Sequence, residues 1–361
     1  MLSRRTPGGD RGAGNSRPLV IAAWIVLVGT VASGMIIAAS IALAGMKARE
    51  KRPPAESDTG SAGPSMELAS TAAAPHLVFV SKGADATNTI LSVAPLPAPA
   101  AGRALAALRC ERISFAAGRG ICLQDDRGLF TRYRAVLFNE RFEPQQSFTL
   151  DGRPSRTRIS IDGRVGAITV FVTGQEHGYT SSSFSTRTML VDMSSGDVLG
   201  DLEQFATWRD GKRFSAADFN FWGVTFARDS NTFYASLQTA RRTYLVRGDL
   251  GLRTLTVLHE NVECPALSPD NRTIAYKKRV AGDFAPWRFH LLDLATMTER
   301  PIVAEVRSID DQIEWLDDAH VLYGTPRSFQ SPIVDVYIAS IEGTEPARVY
   351  LPAAESPIVV R

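Results

Sequence analysis

Residues 264–276, CPALSPDNRTIAY, decide the architecture. A short run of β-prone side chains meets Ser268-Pro269-Asp270-Asn271, and a second run follows at once. Pro269 presets φ for a turn, and Asp and Asn tolerate the turn conformations that follow it, so the stretch reads as a hairpin. Residues 287–303, WRFHLLDLATMTERPIV, add a third strand, a polar turn and a fourth. The same order recurs at 313–351 (IEWLDDAHVLYG, then DVYIASIEGTEPARVYL) and at 224–258 (VTFARDSNTFYASL, then TYLVRGDLGLRTLTVL). Two further copies lie upstream at 157–202 and 112–150.

A unit of about 40–55 residues with four strands is the signature of a β-propeller, because one such sheet cannot bury both faces alone. Residues 76–108 supply only three strands, and the last residues, SPIVVR (356–361), supply a fourth that matches an innermost strand. The expected fold is all-β: a six-bladed propeller over 76–361, closed by strand 356–361. A β-sandwich is the alternative, but sandwiches do not repeat a strand–turn–strand unit in register.

The stretches LSPDNRTIAYKKR (267–279) and FHLLDLATMTERPI (289–302) resemble the repeat of TolB-type propellers. FNFWGVTFARDSNTFYA (219–235), VECPALSPDNRTIAYKKRV (262–280) and DDQIEWLDDAHVLYG (310–324) are similar to a group of actinobacterial membrane-anchored TolB-like proteins of unassigned activity. The resemblance is strongest over 219–361 and departs where Asn271 replaces the usual Gly. It implies an extracytoplasmic propeller and carries over no partner.

The 361 residues have formal net charge +2. Residues 1–75 hold eight of the 40 Lys and Arg and five of the 38 Asp and Glu, which leaves 32 against 33, a net of −1, for the rest. A nucleic-acid binder shows a basic domain, and this is not one. Residues 19–46 carry no charged side chain, and about 20 apolar residues suffice to span a bilayer as a helix. The expected organisation is a cytoplasmic tail (1–18), a single transmembrane helix (19–46), a disordered Pro/Ala/Ser-rich linker (47–75) and the extracytoplasmic propeller. Ala42-Leu43-Ala44 also fits a signal-cleavage pattern, and four Lys and Arg on each side of the span leave its orientation undecided by charge.

Cys110 and Cys122 flank what reads as the first hairpin of the second blade, at a spacing that permits a cross-strand disulfide or leaves two buried thiols. Cys264 is read as a buried thiol or an alternative partner for Cys110. The five His residues show no metal-ligand spacing, and no nucleophile elbow or nucleotide-binding loop appears. The remaining candidate is the mouth of the channel, where the entries to the innermost strands converge. Arg156, Asp218, Asn220, Trp222, Glu263, Asp310, Asp311 and Gln312 fall there, with Glu355 beside the closing strand. This pattern suits a ligand-binding rim for an envelope protein, a peptide or a cell-wall fragment. In the alternative reading the carboxylates hold Ca²⁺ for an enzyme of lactonase or lyase type. The insertion 173–187, with His177 and Tyr179, is a second candidate loop.

Overall fold

A computed structural model describes residues 67–127, 131–173, 184–280, 286–328 and 330–361. The expected tail, the apolar segment 19–46, most of the linker and loop residues 174–183 lie outside the described residues. Among the described residues no helix is long and apolar enough to cross a membrane.

The described strands form six sheets, five of four strands and one of six, with antiparallel neighbours at the centre of each. They are six propeller blades. Their innermost strands, Ala354–Val360, Arg112–Ala116, Arg153–Ile159, Asn220–Phe226, Glu263–Leu267 and Glu314–Trp315, neighbour one another around a central axis. Blade one combines both ends of the propeller: Ala354–Val360 pairs with His76–Ser81, His76 facing Val360 and Ser81 facing Ala354. The closing strand therefore starts two residues before the SPIVVR run that announced it.

Hydrophobic burial follows the seams. Six apolar clusters fill the six joints, one per pair of adjacent blades; Phe115 and Phe138 pack between blades one and two, and Phe289, Trp315 and Tyr323 between five and six. Each sheet thus buries both faces, which dictates the strict alternation of short apolar runs and turns. Four innermost strands carry a register shift near their start, at Pro154/Arg156, Trp222/Thr225, Glu263/Ala266 and opposite Val78/Val80. Positive φ at Gly223 (64°), Cys264 (48°) and Ser356 (53°) marks the last three of these bulges, each of which bends its strand locally. At Gly223 a Cβ would lie 2.8 Å from the Cα of Cys264, so a side chain there would push two innermost strands apart.

Two features differ from expectation, and one open alternative, the pairing of Cys110 with Cys122, is met. Residues 68–72 of the linker form a short helix, with Leu68 and Ala72 on the blade-one cluster, so the linker's end is docked rather than disordered. The i, i+4 spacing of these two residues presents one small apolar face, and Thr71 caps back onto the Glu67 carbonyl at 2.7 Å. Cys110 and Cys122 are joined, with Cα atoms 5.3 Å apart. Cys110 sits in the crossing between Ala104–Arg109 and Arg112–Ala116 rather than on a strand, and its amide donates to the Thr89 carbonyl. The second difference is an extra hairpin on blade four, Ala206–Arg209 with Lys212–Arg213, with Ala206–Arg209 laid parallel along the outer strand Thr254–Glu260. Its turn is Asp210-Gly211, both with positive φ, the conformation that two-residue hairpins require.

Candidate functional site

The entries to the innermost strands bring Arg156, Glu263, Asp310, Asp311, Gln312 and Glu355 into one polar network, joined by groups that the sequence reading did not single out. Arg112 opens the innermost strand of blade two. Its guanidinium pairs with Glu355 of the closing strand, and its Nε donates to the Ser155 carbonyl at 3.2 Å. Lys82 reaches Glu355 at 3.5 Å and Glu111 at 3.2 Å. Arg158 pairs with Glu314, and its Nε and Nη2 donate to Oε1 of Gln312 at 3.1 and 2.9 Å.

Across the axis, Lys277 of blade five is wholly buried and donates to Asp310 at 2.5 Å; Arg156 stands 3.8 Å from the same carboxylate. The Lys277 ammonium lies 4.5 Å from the centre of the Trp287 ring, and Arg279 approaches the same ring at 5.2 Å. Glu263 is buried next to Trp287, with Arg279 at 3.7 Å. Asp311 accepts from the Gly324 amide at 2.8 Å.

These carboxyls do not titrate alike. Burial opposes charge on Asp310, but Lys277 and Arg156 outweigh it and hold the group below its ordinary value. Burial likewise opposes charge on Glu355, where Arg112 and Lys82 prevail. For Glu263 and Asp311 burial wins over the neighbouring cations and pushes both upward. Burial also raises the Cys264 thiol, whose side chain is enclosed; it is not a nucleophile poised for attack. Lys277 is held charged by Asp310 despite burial.

Formally, six cations (Lys82, Arg112, Arg156, Arg158, Lys277, Arg279) meet six carboxylates (Glu111, Glu263, Asp310, Asp311, Glu314, Glu355). Five of these carboxylates stand within 4 Å of one of the chain's own cations, and Asp311 accepts from the Gly324 amide. Among the described residues no group of three or more His, Cys, Asp or Glu side chains is placed to hold a metal ion. Of the three carboxylates that the cation reading named, Glu355 faces Arg112 and Lys82 and Glu263 faces Arg279. The space between Arg112, Arg156, Arg158, Asp311 and Glu314 is about 30 Å³, on a measure where one water needs some 10–15 Å³.

Three candidates fall outside the network. Trp222 is wholly buried, edge-on to Phe184 at 5.3 Å, in a cluster with Phe171, Cys264 and Trp287. Its ring fills the junction of blades three, four and five and offers no face to a ligand, which corrects the expectation of a stacking surface. Asn220 is also buried: its Oδ1 accepts from the Thr186 amide and hydroxyl (2.8 and 2.5 Å), which ties blade three to blade four. Asp218 is exposed and caps the Thr239–Ala240 turn, accepting at 2.6 and 2.7 Å, which lowers its pKa.

No protein-family model matches the chain, and no curated protein matches it. Solved structures do. TolB from Acinetobacter baumannii is 16% identical, with a TM-score of 0.55 over 79% of this chain and 66% of that one. The chain thus spans somewhat under two thirds of that TolB. A chain of a nidogen/laminin complex is 10% identical, with a TM-score of 0.52 over 80% of this chain and 98% of that one. At these identities the likeness concerns the fold alone, and the fold is that of a TolB-like six-bladed β-propeller.

Proposed function

We propose that this chain is a membrane-anchored, extracytoplasmic binding or scaffold module whose mouth face receives an envelope protein, a peptide or a cell-wall fragment. A TolB-like propeller supports a protein-binding module in general. The apolar run 19–46 supports a single-pass anchor, and the Cys110–Cys122 disulfide supports an oxidising compartment outside the cytoplasm. The observation that carries the reading is the closed ring with a self-compensated channel. Cations and carboxylates of the channel entries face one another, so the strand-connecting loops around the mouth are the contoured surface offered to a partner.

The test is site-specific photocrosslinking in intact envelopes. Crosslinkers replace Ala86 and Ala217, exposed on the mouth face, and Arg272 and Ala319, exposed on the turns of the opposite face. Adducts from the first pair and none from the second support the reading. Equal yields from both faces, or adducts from the opposite face alone, overturn it.

A further inference from the structure

Blade four carries two strands more than its sheet needs. The hairpin Ala206–Arg209/Lys212–Arg213 lies outside a complete four-stranded blade, so ring closure does not explain it. What it does is hold a large aromatic side chain in solvent. Trp208 is 40% exposed, whereas Trp222, Trp287 and Trp315 are buried. The cation on the facing strand, Arg213, sits 6.0 Å from the centre of the Trp208 ring. Lys212 is exposed beside it, and Arg209 lies between Asp210 at 3.7 Å and Glu260 at 3.0 Å. Within residues 206–213 the count is three cations to one carboxylate; Arg242 adds one beside Glu260, which removes one.

We infer that this hairpin is a contact for an anionic lipid surface. An indole has an apolar body and a polar N–H, and its preferred depth in a bilayer is the headgroup region. Lysine and arginine at that depth are drawn to anionic lipid, and an exposed tryptophan set among cations therefore answers to both properties of the surface. The inference rests on the proposed anchor. In the sequence, residues 47–66 stand between segment 19–46 and helix 68–72, and, read as the expected linker, 20 residues would reach a root-mean-square span on the order of 25 Å. Such a tether keeps the propeller at a high effective concentration of lipid, so a site too weak to hold a free protein works on this one.

The experiment uses the full chain in lipid nanodiscs containing brominated lipid, with either phosphatidylglycerol and phosphatidylcholine together or phosphatidylcholine alone. Trp24 lies within the apolar segment and contributes a constant background, so the readout is the difference between the native chain and Trp208→Phe. Trp208-dependent quenching is expected in the anionic discs and not in the neutral ones. It should fall as salt rises, and Lys212→Glu should weaken it about fivefold per cation lost. Native and Trp208→Phe chains that quench alike in anionic discs overturn the lipid contact and leave the anchor standing. A chain that does not co-purify with nanodiscs at all overturns the anchor, and the lipid contact with it.

Discussion

Blade one and blade four solve opposite problems. Blade four is built from consecutive residues, Ala206 to Glu260, and has strands to spare. Blade one has a strand missing from its own stretch of chain and takes it from residues 354–360, more than 250 positions away. The turn-linked hairpins of blade four form locally, whereas the closing strand must hold the ring against the entropy of a very long loop. The contacts reflect that difference. Around the closing strand lie the Glu355 carboxylate with Arg112 and Lys82, the buried Arg103 guanidinium on the carbonyls of Pro352 and Ala353 (2.7 and 3.0 Å), and the disulfide at the next blade crossing. Blade four's outer edge carries surface charges, of which Arg209 and Arg242 face Glu260.

The strongest way to break this contrast is to remove the closing strand. Deleting residues 354–361 takes away a whole innermost strand and exposes the cluster of Leu77, Phe79 and Leu322. Cooperative thermal unfolding, followed by circular dichroism, should be lost altogether. A truncated chain with an unchanged melting temperature would mean that the ring closes elsewhere.

Glu355→Gln comes next. Removing the charge strands Arg112 beside Arg156 in the ring, and breaking one side of a buried pair costs about 3–5 kcal/mol. Chemical denaturation should show that loss with an unchanged m-value. Its pH dependence sharpens the point. Glu355 and Asp310 have folded values below the ordinary carboxyl range, so their contribution is complete above the ordinary range and is lost as pH falls through those lower values. Glu263 and Asp311 are raised, so they favour the folded state as they take up protons on acidification, and work against it at higher pH. Stability should therefore hold or rise from neutral into mild acid and then collapse in strong acid. Glu355→Gln should flatten the collapse and leave the mild-acid limb in place; a native chain that weakens steadily from pH 7 downward would contradict the assignment.

The disulfide comes third. It closes a loop of 12 residues, which the chain-entropy account values at about 3 kcal/mol. Reduction, or Cys122→Ser, should lower the melting temperature without abolishing folding, and mass analysis before and after reduction should show the bond directly.

How far the residues announce these contacts depends on sequence distance. The blades were legible because their signals are local: Ser268-Pro269-Asp270-Asn271 makes its own turn, with the Ser268 hydroxyl on Asp270 at 2.6 Å and the Asp270 carboxylate on the Arg272 amide at 3.0 Å. The closing strand was legible by subtraction. The mouth was legible as a place and not as a chemistry. Arg156 and Asp310 are 154 positions apart, Arg112 and Glu355 are 243, and no periodicity says which cation faces which carboxylate across a ring. Three carboxylates at equivalent entries look like a cation site until Lys277 and Arg112, which belong to other registers, are set among them. Trp222 looked like a rim residue because strand alternation does not show which neighbour's aromatics wait on its side. The blade-four hairpin had a clear local signal, Asp210-Gly211 between Trp208-Arg209 and Lys212-Arg213, which the count of four strands per blade concealed.

The smallest effect belongs to that hairpin. Lys212 is exposed on a two-residue edge strand, and its charge is one of several on a flank that water and salt screen. Lys212→Ser should change stability by no more than about 0.5 kcal/mol, the usual scale for a surface position away from caps and cores. Set beside Glu355→Gln, it measures the difference between a charge that fastens the ring and one that merely faces outward. A loss of several kcal/mol from Lys212→Ser, read by the same denaturation assay, would show that the outer hairpin is part of blade four's structure and would remove the contrast between the two blades.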